Sequence, residues 1–148
     1  MQITYQEINI EILEKIGEKY GKMLKDHIHL ENGSYSLAAL HENIPIGFIS
    51  TYTSYLTVPL NDKKDAYIDV IEIDKDFRRK GIAREFIKRT EKWAQIENYR
   101  QIRSWSSQDK IEAIPMWYAL GYCMCPAKIW VDWCKEIVDG YYVVKKLN

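Results

Sequence analysis

Residues 66–95 read AYIDVIEIDKDFRRKGIAREFIKRTEKWAQ, and a change of period inside this stretch decides the fold. AYIDVIEI (66–73) is a short run rich in β-branched residues and reads as a strand. After Gly81 the apolar residues Ile82, Phe86, Ile87, Trp93 and Ala94 fall on one face of a helix, with Ala83 and Thr90 filling in. Arg84, Lys88, Arg89 and Lys92 fall on the other. Between the two periods lies the basic triplet Arg78-Arg79-Lys80. The first turn of a helix carries backbone N–H groups with no internal partner, and the helix dipole adds partial positive charge. A glycine there lets a ligand approach the backbone, and the small Ala83 leaves room for it. A diphosphate suits such a nest. The plainer reading is a solvated basic turn in which Gly81 merely permits the bend, and this stretch alone does not separate the two.

On the N-terminal side, residues 3–9 read as a strand, and Ile12, Leu13, Ile16, Tyr20 and Leu24 form a helical stripe over residues 11–24. Residues 34–41 and 46–54 are two strands joined by Glu42-Asn43-Ile44-Pro45, short enough for an antiparallel hairpin. A polar connection over 56–65 leads into the strand at 66–73. Residues 101–107 form a further strand, followed by a helix that ends at Gly121, a residue suited to a left-handed cap. Pro115 lies too deep if Asp109 caps that helix with Glu112 reaching back, so the helix is kinked or starts nearer Ala113. Residues 128–134 and 141–147 are predicted as two final strands turning at Asp139-Gly140. Hairpins mixed with strand-helix-strand units imply an α/β fold with a mixed sheet.

The whole chain constrains function further. Its 148 residues suit one domain, 1–148, and no linker or repeat divides it. Apolar residues make up 47% and charged residues 28%, as in globular proteins. Lys plus Arg and Asp plus Glu are both 21, so there is no basic excess of the kind a broad nucleic-acid surface carries. An anion site must be local. No signal peptide is evident, and the longest uncharged run, 113–127, is too short for a membrane span and is broken by Pro and Gly. Cys123, Cys125 and Cys134 do not form a secreted disulfide framework, so a reducing, cytoplasmic setting is expected. Neither the cysteines nor His27-x-His29 has the spacing to assemble a metal site, and both are read as structural. Trp105, Trp117, Trp130, Trp133, Tyr52 and Tyr55 are read first as core, although several could line a pocket.

A P-loop needs a longer glycine frame ending in Gly-Lys-Ser/Thr, and a dinucleotide fingerprint needs a third glycine; both are missing. Arg78-Arg79-Lys80-Gly81-Ile82-Ala83 instead resembles the acetyl-CoA signature of the GNAT superfamily of acyl-CoA N-acyltransferases, Arg/Gln-x-x-Gly-x-Gly/Ala after a strand. Ile46-Gly47-Phe48-Ile49 is similar to that family's third strand, residues 113–122 to its late helix ending in Leu-Gly-Phe, and residues 142–147 to its closing strand. The resemblance implies a mixed, mostly antiparallel sheet flanked by helices and splayed at a cofactor cleft. It implies acetyl-CoA as cosubstrate, its pyrophosphate held by backbone amides from Arg78 through Arg79, Lys80, Gly81 and Ile82 to Ala83. The pantetheine arm would pair with the strand end at Ile71, Glu72 and Ile73. The acceptor would be a primary amine of a small molecule or peptide, with no nucleic acid or membrane involved. Exposed strands near the C-terminus offer edges through which a homodimer could pair.

Acetyl transfer to an amine needs a neutral nucleophile, a polarised thioester carbonyl and a proton for the departing thiolate. Asp69 is the candidate base, on the strand expected to border the thioester; a side chain bonded to nearby backbone is the alternative. Strand alternation puts Asp69 with Tyr67 and Ile71, and Glu72, the weaker candidate, with Ile68 and Val70, unless a bulge alters the phase. For the acid, the family's usual tyrosine position is occupied by Trp117, whose indole cannot act as one. The neighbouring Tyr118 is the candidate, with water as the alternative. Lys110 stands where the family often has asparagine. Cys123 as an acyl-carrying nucleophile lacks an identifiable base partner. A non-catalytic acyl-CoA-binding module on the same fold is the second reading, motivated by Trp117, and a nucleotide-binding domain the third.

Overall fold

In a computed structural model, which describes residues 1–147, the chain forms seven strands and four α-helices. Asn148, the last residue of the expected domain, lies outside the described residues. Strand β1 (Thr4–Glu7) leads to helix α1 (Ile10–Tyr20), whose first turn is capped by the Asn9 side chain accepting from the Ile12 amide at 2.9 Å. Ile12 and Ile16 are its buried stripe. The single helix expected to reach Leu24 is broken at Gly21, whose φ of 96° and ψ of 164° lie outside helical space. A one-turn helix, α2 (Lys22–Lys25), follows the break.

The hairpin β2 (Tyr35–His41) to β3 (Ile44–Tyr55) turns on two residues only, Glu42 and Asn43, with φ of 51° and 65°. Two successive positive φ values match the twist of antiparallel strands, so Ile44 and Pro45 already belong to β3. Strand β4 (Lys64–Ile73) pairs antiparallel with β3, and helix α3 (Ile82–Ile96) carries the chain over to β5 (Gln101–Ser107), which lies parallel to β4. The late helix takes the second of its two expected forms. A 3₁₀ turn at Ile111–Ala113 precedes α4 (Ile114–Ala119), so Pro115 sits in the first helical turn, where its missing N–H costs no bond.

Strands β6 (Cys123–Val131) and β7 (Glu136–Lys146) close the sheet, in the order β1-β2-β3-β4-β5-β7-β6. The turn predicted at Asp139-Gly140 is not there: the chain reverses at residues 132–135, placing Trp133 and Cys134 in the turn. Gly140 lies inside β7 opposite Ala127, and a Cβ on it would run into the Ser106 carbonyl and the Trp105 ring.

Two apolar clusters cover opposite faces of the sheet. Leu37, Ala39 and Ile49 join Ile82, Phe86, Ile87 and Trp117 under α3 and α4, whereas the alternating Ala38, Leu40 and Phe48 join Ile12 and Ile16 under α1. Among the described residues no helix is long and apolar enough to cross a membrane.

Candidate active site

Pairing between β4 and β5 is brief. Ala66, Tyr67 and Ile68 face Ile102, Arg103 and Ser104, and there the ladder stops. Ser104 Oγ donates to the Ile68 carbonyl at 2.8 Å, tying the last rung. Beyond it β4 continues against β3 to Ile73, and β5 continues against β7 to Ser107, so the two strands part and leave a gap in the sheet.

At the apex of that gap β4 bulges. Ser50 faces Val70 and Thr51 faces Ile68, which leaves Asp69 without a partner on β3. The extra residue reverses the alternation. Ala66 and Ile68 pack in the α3-side core before the bulge, and Ile71 and Ile73 pack there after it. Val70 packs in the α1-side core beside Phe48, whose register partner is Glu72. The strict alternation is therefore corrected: Glu72 shares its face with Val70 but not with Ile68. Tyr67 pairs with Tyr52, whose ring lies tilted against His29 with centroids 4.7 Å apart, so Tyr67 and Asp69 also look toward the α1–α2 side.

Asp69 meets two histidines that the sequence offered only as a structural pair. Its Oδ2 lies 2.7 Å from His29 Nε2 and 3.3 Å from His27 Nδ1. His29 Nδ1 in turn lies 2.9 Å from Glu31 Oε1. The segment carrying them is pinned to the sheet, because the His29 amide donates to Ser50 Oγ at 2.8 Å and Ser36 Oγ donates to the His29 carbonyl at 2.7 Å. Burial alone would push the Asp69 carboxyl up, but the His29 hydrogen bond and the nearby His27 charge win and hold it below the usual range. The bond to Asp69 pushes the His29 imidazole up, against burial. Tyr52 and Tyr67 complete the wall. Burial pushes the Tyr67 hydroxyl up to about 12, and the Arg103 guanidinium lies 5.4 Å over its ring. Spacing alone could not reveal this cluster, since His27 and His29 are two apart and meet β4 only through the placement of α2.

On the other face stands the start of α3. Gly81 is its N-cap at φ 83° and Arg79 is also left-handed at φ 64°, so the chain coils tightly before the helix. No side chain caps this end, and the first helical bond runs from the Glu85 amide to the Gly81 carbonyl at 3.0 Å. The amides of Ile82, Ala83 and Arg84 are therefore open. Nothing lies within 4 Å of a Cβ built on Gly81, so the backbone there is approachable. The basic triplet divides its labour. Arg78 folds back on β4, its Nε donating to the Ile73 carbonyl at 3.0 Å and its Nη2 lying 3.4 Å from Glu72 Oε1. Arg79 and Lys80 are exposed, and the Ile82 side chain is the buried anchor of the helix start.

The two candidates on α4 separate. Trp117 is buried against Tyr122, ring centroids 4.8 Å apart, and its indole N–H has no partner among the described residues. Tyr118 is 68% exposed. Among the described residues no group of three or more His, Cys, Asp or Glu side chains is arranged to hold a metal ion.

The arrangement thus offers open amides for an anion on one face, a cleft through the sheet, and a carboxylate-histidine cluster on the other face. A family model described as Acetyltransferase (GNAT) family matches residues 4–122. No curated protein matches the sequence. Among solved structures, NAA60 of Arabidopsis thaliana with a bisubstrate analogue superposes with a TM-score of 0.79 at 17% identity, covering 99% of both chains. A putative streptothricin acetyltransferase of Bacillus anthracis with acetyl coenzyme A gives 0.74 at 17% identity, covering 100% of this chain and 99% of that one. A chain of the NatC complex bound to Gag peptide and CoA gives 0.74 at 16% identity, covering 100% of both. These likenesses show a shared fold.

Proposed function

The chain belongs to the GNAT acetyltransferase family, and from that premise we propose that it transfers the acetyl group of acetyl-CoA to a primary amine of a small molecule or peptide, by direct attack in a ternary complex. The observation that carries this reading is the end of β4–β5 pairing at Ile68–Ser104, with α3 opening on one side of the gap and Asp69 standing on the other. The pyrophosphate of the cosubstrate is held by the amides from Arg79 to Ala83, where open N–H groups and the helix dipole favour negative charge, whereas the Arg78 amide is already bonded to the Lys75 carbonyl at 3.3 Å. Arg79 and Lys80 add attraction from solvent. The pantetheine arm runs along the free edge of β4 at Ile71, Glu72 and Ile73, whose outward backbone groups no strand engages. The thioester then lies in the gap, and the amine enters from the α1–α2 face.

On that face the negative charge at Asp69 draws the acceptor in as its ammonium, and the cluster around Asp69 takes one proton from it. The neutral amine nitrogen attacks the thioester carbonyl carbon, a C–N bond forms, and the C–S bond breaks. The tetrahedral adduct must still shed one proton to become an amide, and the departing thiolate takes it up. The exposed Tyr118 is then dispensable. Holding both substrates in line supplies much of the rate. Similar folds are solved with acetyl coenzyme A, with CoA and a peptide, and with a bisubstrate analogue, which supports acetyl-CoA as the cosubstrate.

The test is calorimetry with CoA and acetyl-CoA beside thiol release across a panel of amines: tryptamine, spermidine and a short peptide with a free N-terminus. Binding in the range of about 1 μM to 1 mM with amine-dependent release is expected. No CoA binding at concentrations of about 5 mM, well above that range, would overturn the reading, whereas binding without turnover on any amine would favour the non-catalytic module.

A further inference from the structure

We infer that the proton of the acceptor ammonium is taken by His27, through its Nε2, and that Asp69 is the group that orients His27 for this task. The inference rests on the acetyltransferase reading above and assigns a residue within it. Asp69 Oδ2 faces two ring nitrogens, His29 Nε2 at 2.7 Å and His27 Nδ1 at 3.3 Å, and these contacts hold the whole carboxyl below its usual range, which leaves Asp69 a weak base through either oxygen. His29 has none to give either, because both its nitrogens face carboxylates, Asp69 on one side and Glu31 at 2.9 Å on the other. His27 differs. Its Nδ1 points at Asp69, and its Nε2 has no hydrogen-bond partner among the described residues. An imidazole that donates from Nδ1 to a carboxylate keeps its lone pair on Nε2, as a general base requires.

Position agrees with this chemistry. Asp69 is the first β4 residue past the last β4–β5 pair, so a ring bonded to it stands at the mouth of the gap. The His27 side chain is 43% exposed and within reach of an incoming ligand. Its backbone is fixed: the His27 amide donates to the Leu24 carbonyl at 3.2 Å, and the next amide, of Ile28, donates to the Lys25 carbonyl at 3.1 Å. The charged and titratable groups facing the cluster are Glu31 from the same segment, Tyr52 from β3, Tyr67 from β4, Arg103 from β5 and, beside Tyr67, Tyr142 from β7.

One N–H bond of the ammonium breaks and one forms at His27 Nε2, leaving a neutral amine and an imidazolium stabilised by Asp69. The amine attacks acetyl-CoA, the adduct passes its second proton to the departing thiolate, and His27 returns its proton to water.

The test combines a spectroscopic and a kinetic arm on the full chain. In ¹⁵N-resolved spectra of the free protein, His27 is expected as the Nδ1–H tautomer, passing to Nε2–H in Asp69→Asn. With acetyl-CoA and the best amine of the panel, His27→Gln should lower kcat by about 100-fold or more at pH 7. It should leave acetyl-CoA affinity within about twofold, and lose the acid limb of the kcat/KM profile, with added imidazole restoring turnover. An Nε2–H tautomer in the wild type, or a His27→Gln enzyme within about threefold of wild type with its acid limb intact, overturns the assignment alone. Absence of thiol release by the wild type with every amine overturns the acetyltransferase reading itself.

Discussion

Asp69 and His29 lie 2.7 Å apart, Oδ2 to Nε2, and join the bulge of β4 to the segment that leads from α2 into β2. Each holds the other in its charged form, which gives stability a definite dependence on pH. The His29 imidazole is raised above its ordinary 6.5, so its contribution is full below that value and is lost as pH rises through the raised one. The Asp69 carboxyl is lowered below its ordinary 3.8, so its contribution is full above that value and is lost as pH falls through the lowered one. Both operate together between about pH 4 and pH 6.5. His29→Gln should cost about 1–2 kcal/mol in that window, and less at pH 9 and at pH 2. Urea unfolding at a series of pH values checks this, and a deficit constant from pH 4 to pH 9 would count against the ion pair.

The left-handed start of α3 yields a paired experiment. Gly81→Ala forces a side chain into φ 83° and should destabilise the fold by about 1–2 kcal/mol, although the new methyl meets nothing within 4 Å. It should also weaken CoA binding at least about tenfold, because the methyl occupies space the phosphate needs. Gly121→Ala is the control, at φ 85° with only the tip of Lys145 nearby. Similar loss of stability with unchanged CoA affinity is expected there. Equal affinity in both variants by calorimetry would remove the phosphate from α3.

Tyr118→Phe should change kcat by less than about threefold. A group that protonates the thiolate in the transition state contributes about 100-fold or more. The Tyr118 side chain is 68% exposed and its hydroxyl makes no hydrogen bond among the described residues, so nothing in the free protein positions it for that work. Steady-state thiol release measured with saturating acetyl-CoA decides the matter, and a fall of two orders of magnitude would restore Tyr118 as the acid.

What the sequence disclosed follows from how local each cause is. The β4-turn-α3 unit was legible because strand period, Gly81 and helix period are consecutive, and the start of α4 was legible because Pro115 tolerates few placements. The face of Glu72 was not, since it depends on a register shift at Ser50–Thr51 on another strand. His27-x-His29 looked inert because its partner lies about forty residues away on β4 and is reached only once α2 and β3 have packed. Asp139-Gly140 carries a turn signature, yet Gly140 answers to a neighbour rather than to a turn, being bare so that Trp105 can lie against it.

That contact yields a last contrast, in which one substitution has opposite signs at two glycines. At Gly140 a Cβ would collide with the Ser106 carbonyl and come within 2.5 Å of Trp105 Cζ2. The carbonyl belongs to β5, which is held in register with β7 from Gln101–Lys146 to Ser107–Gly140, so it cannot retreat without opening that ladder. Gly140→Ala should cost about 3 kcal/mol or more. At Gly17, inside α1, the nearest atoms a Cβ would meet all belong to the Lys25 side chain, Cδ foremost at 2.6 Å, and that flexible chain can swing aside. Gly17→Ala should therefore gain up to about 1 kcal/mol from helix propensity, less what the Lys25–Glu14 pair contributes. Thermal unfolding of the two variants reads the signs directly. Because Ser106 and Ser107 form the β5 wall of the gap, the Gly140 variant should also lose acetyl transfer at temperatures where it is still folded, while the Gly17 variant keeps it.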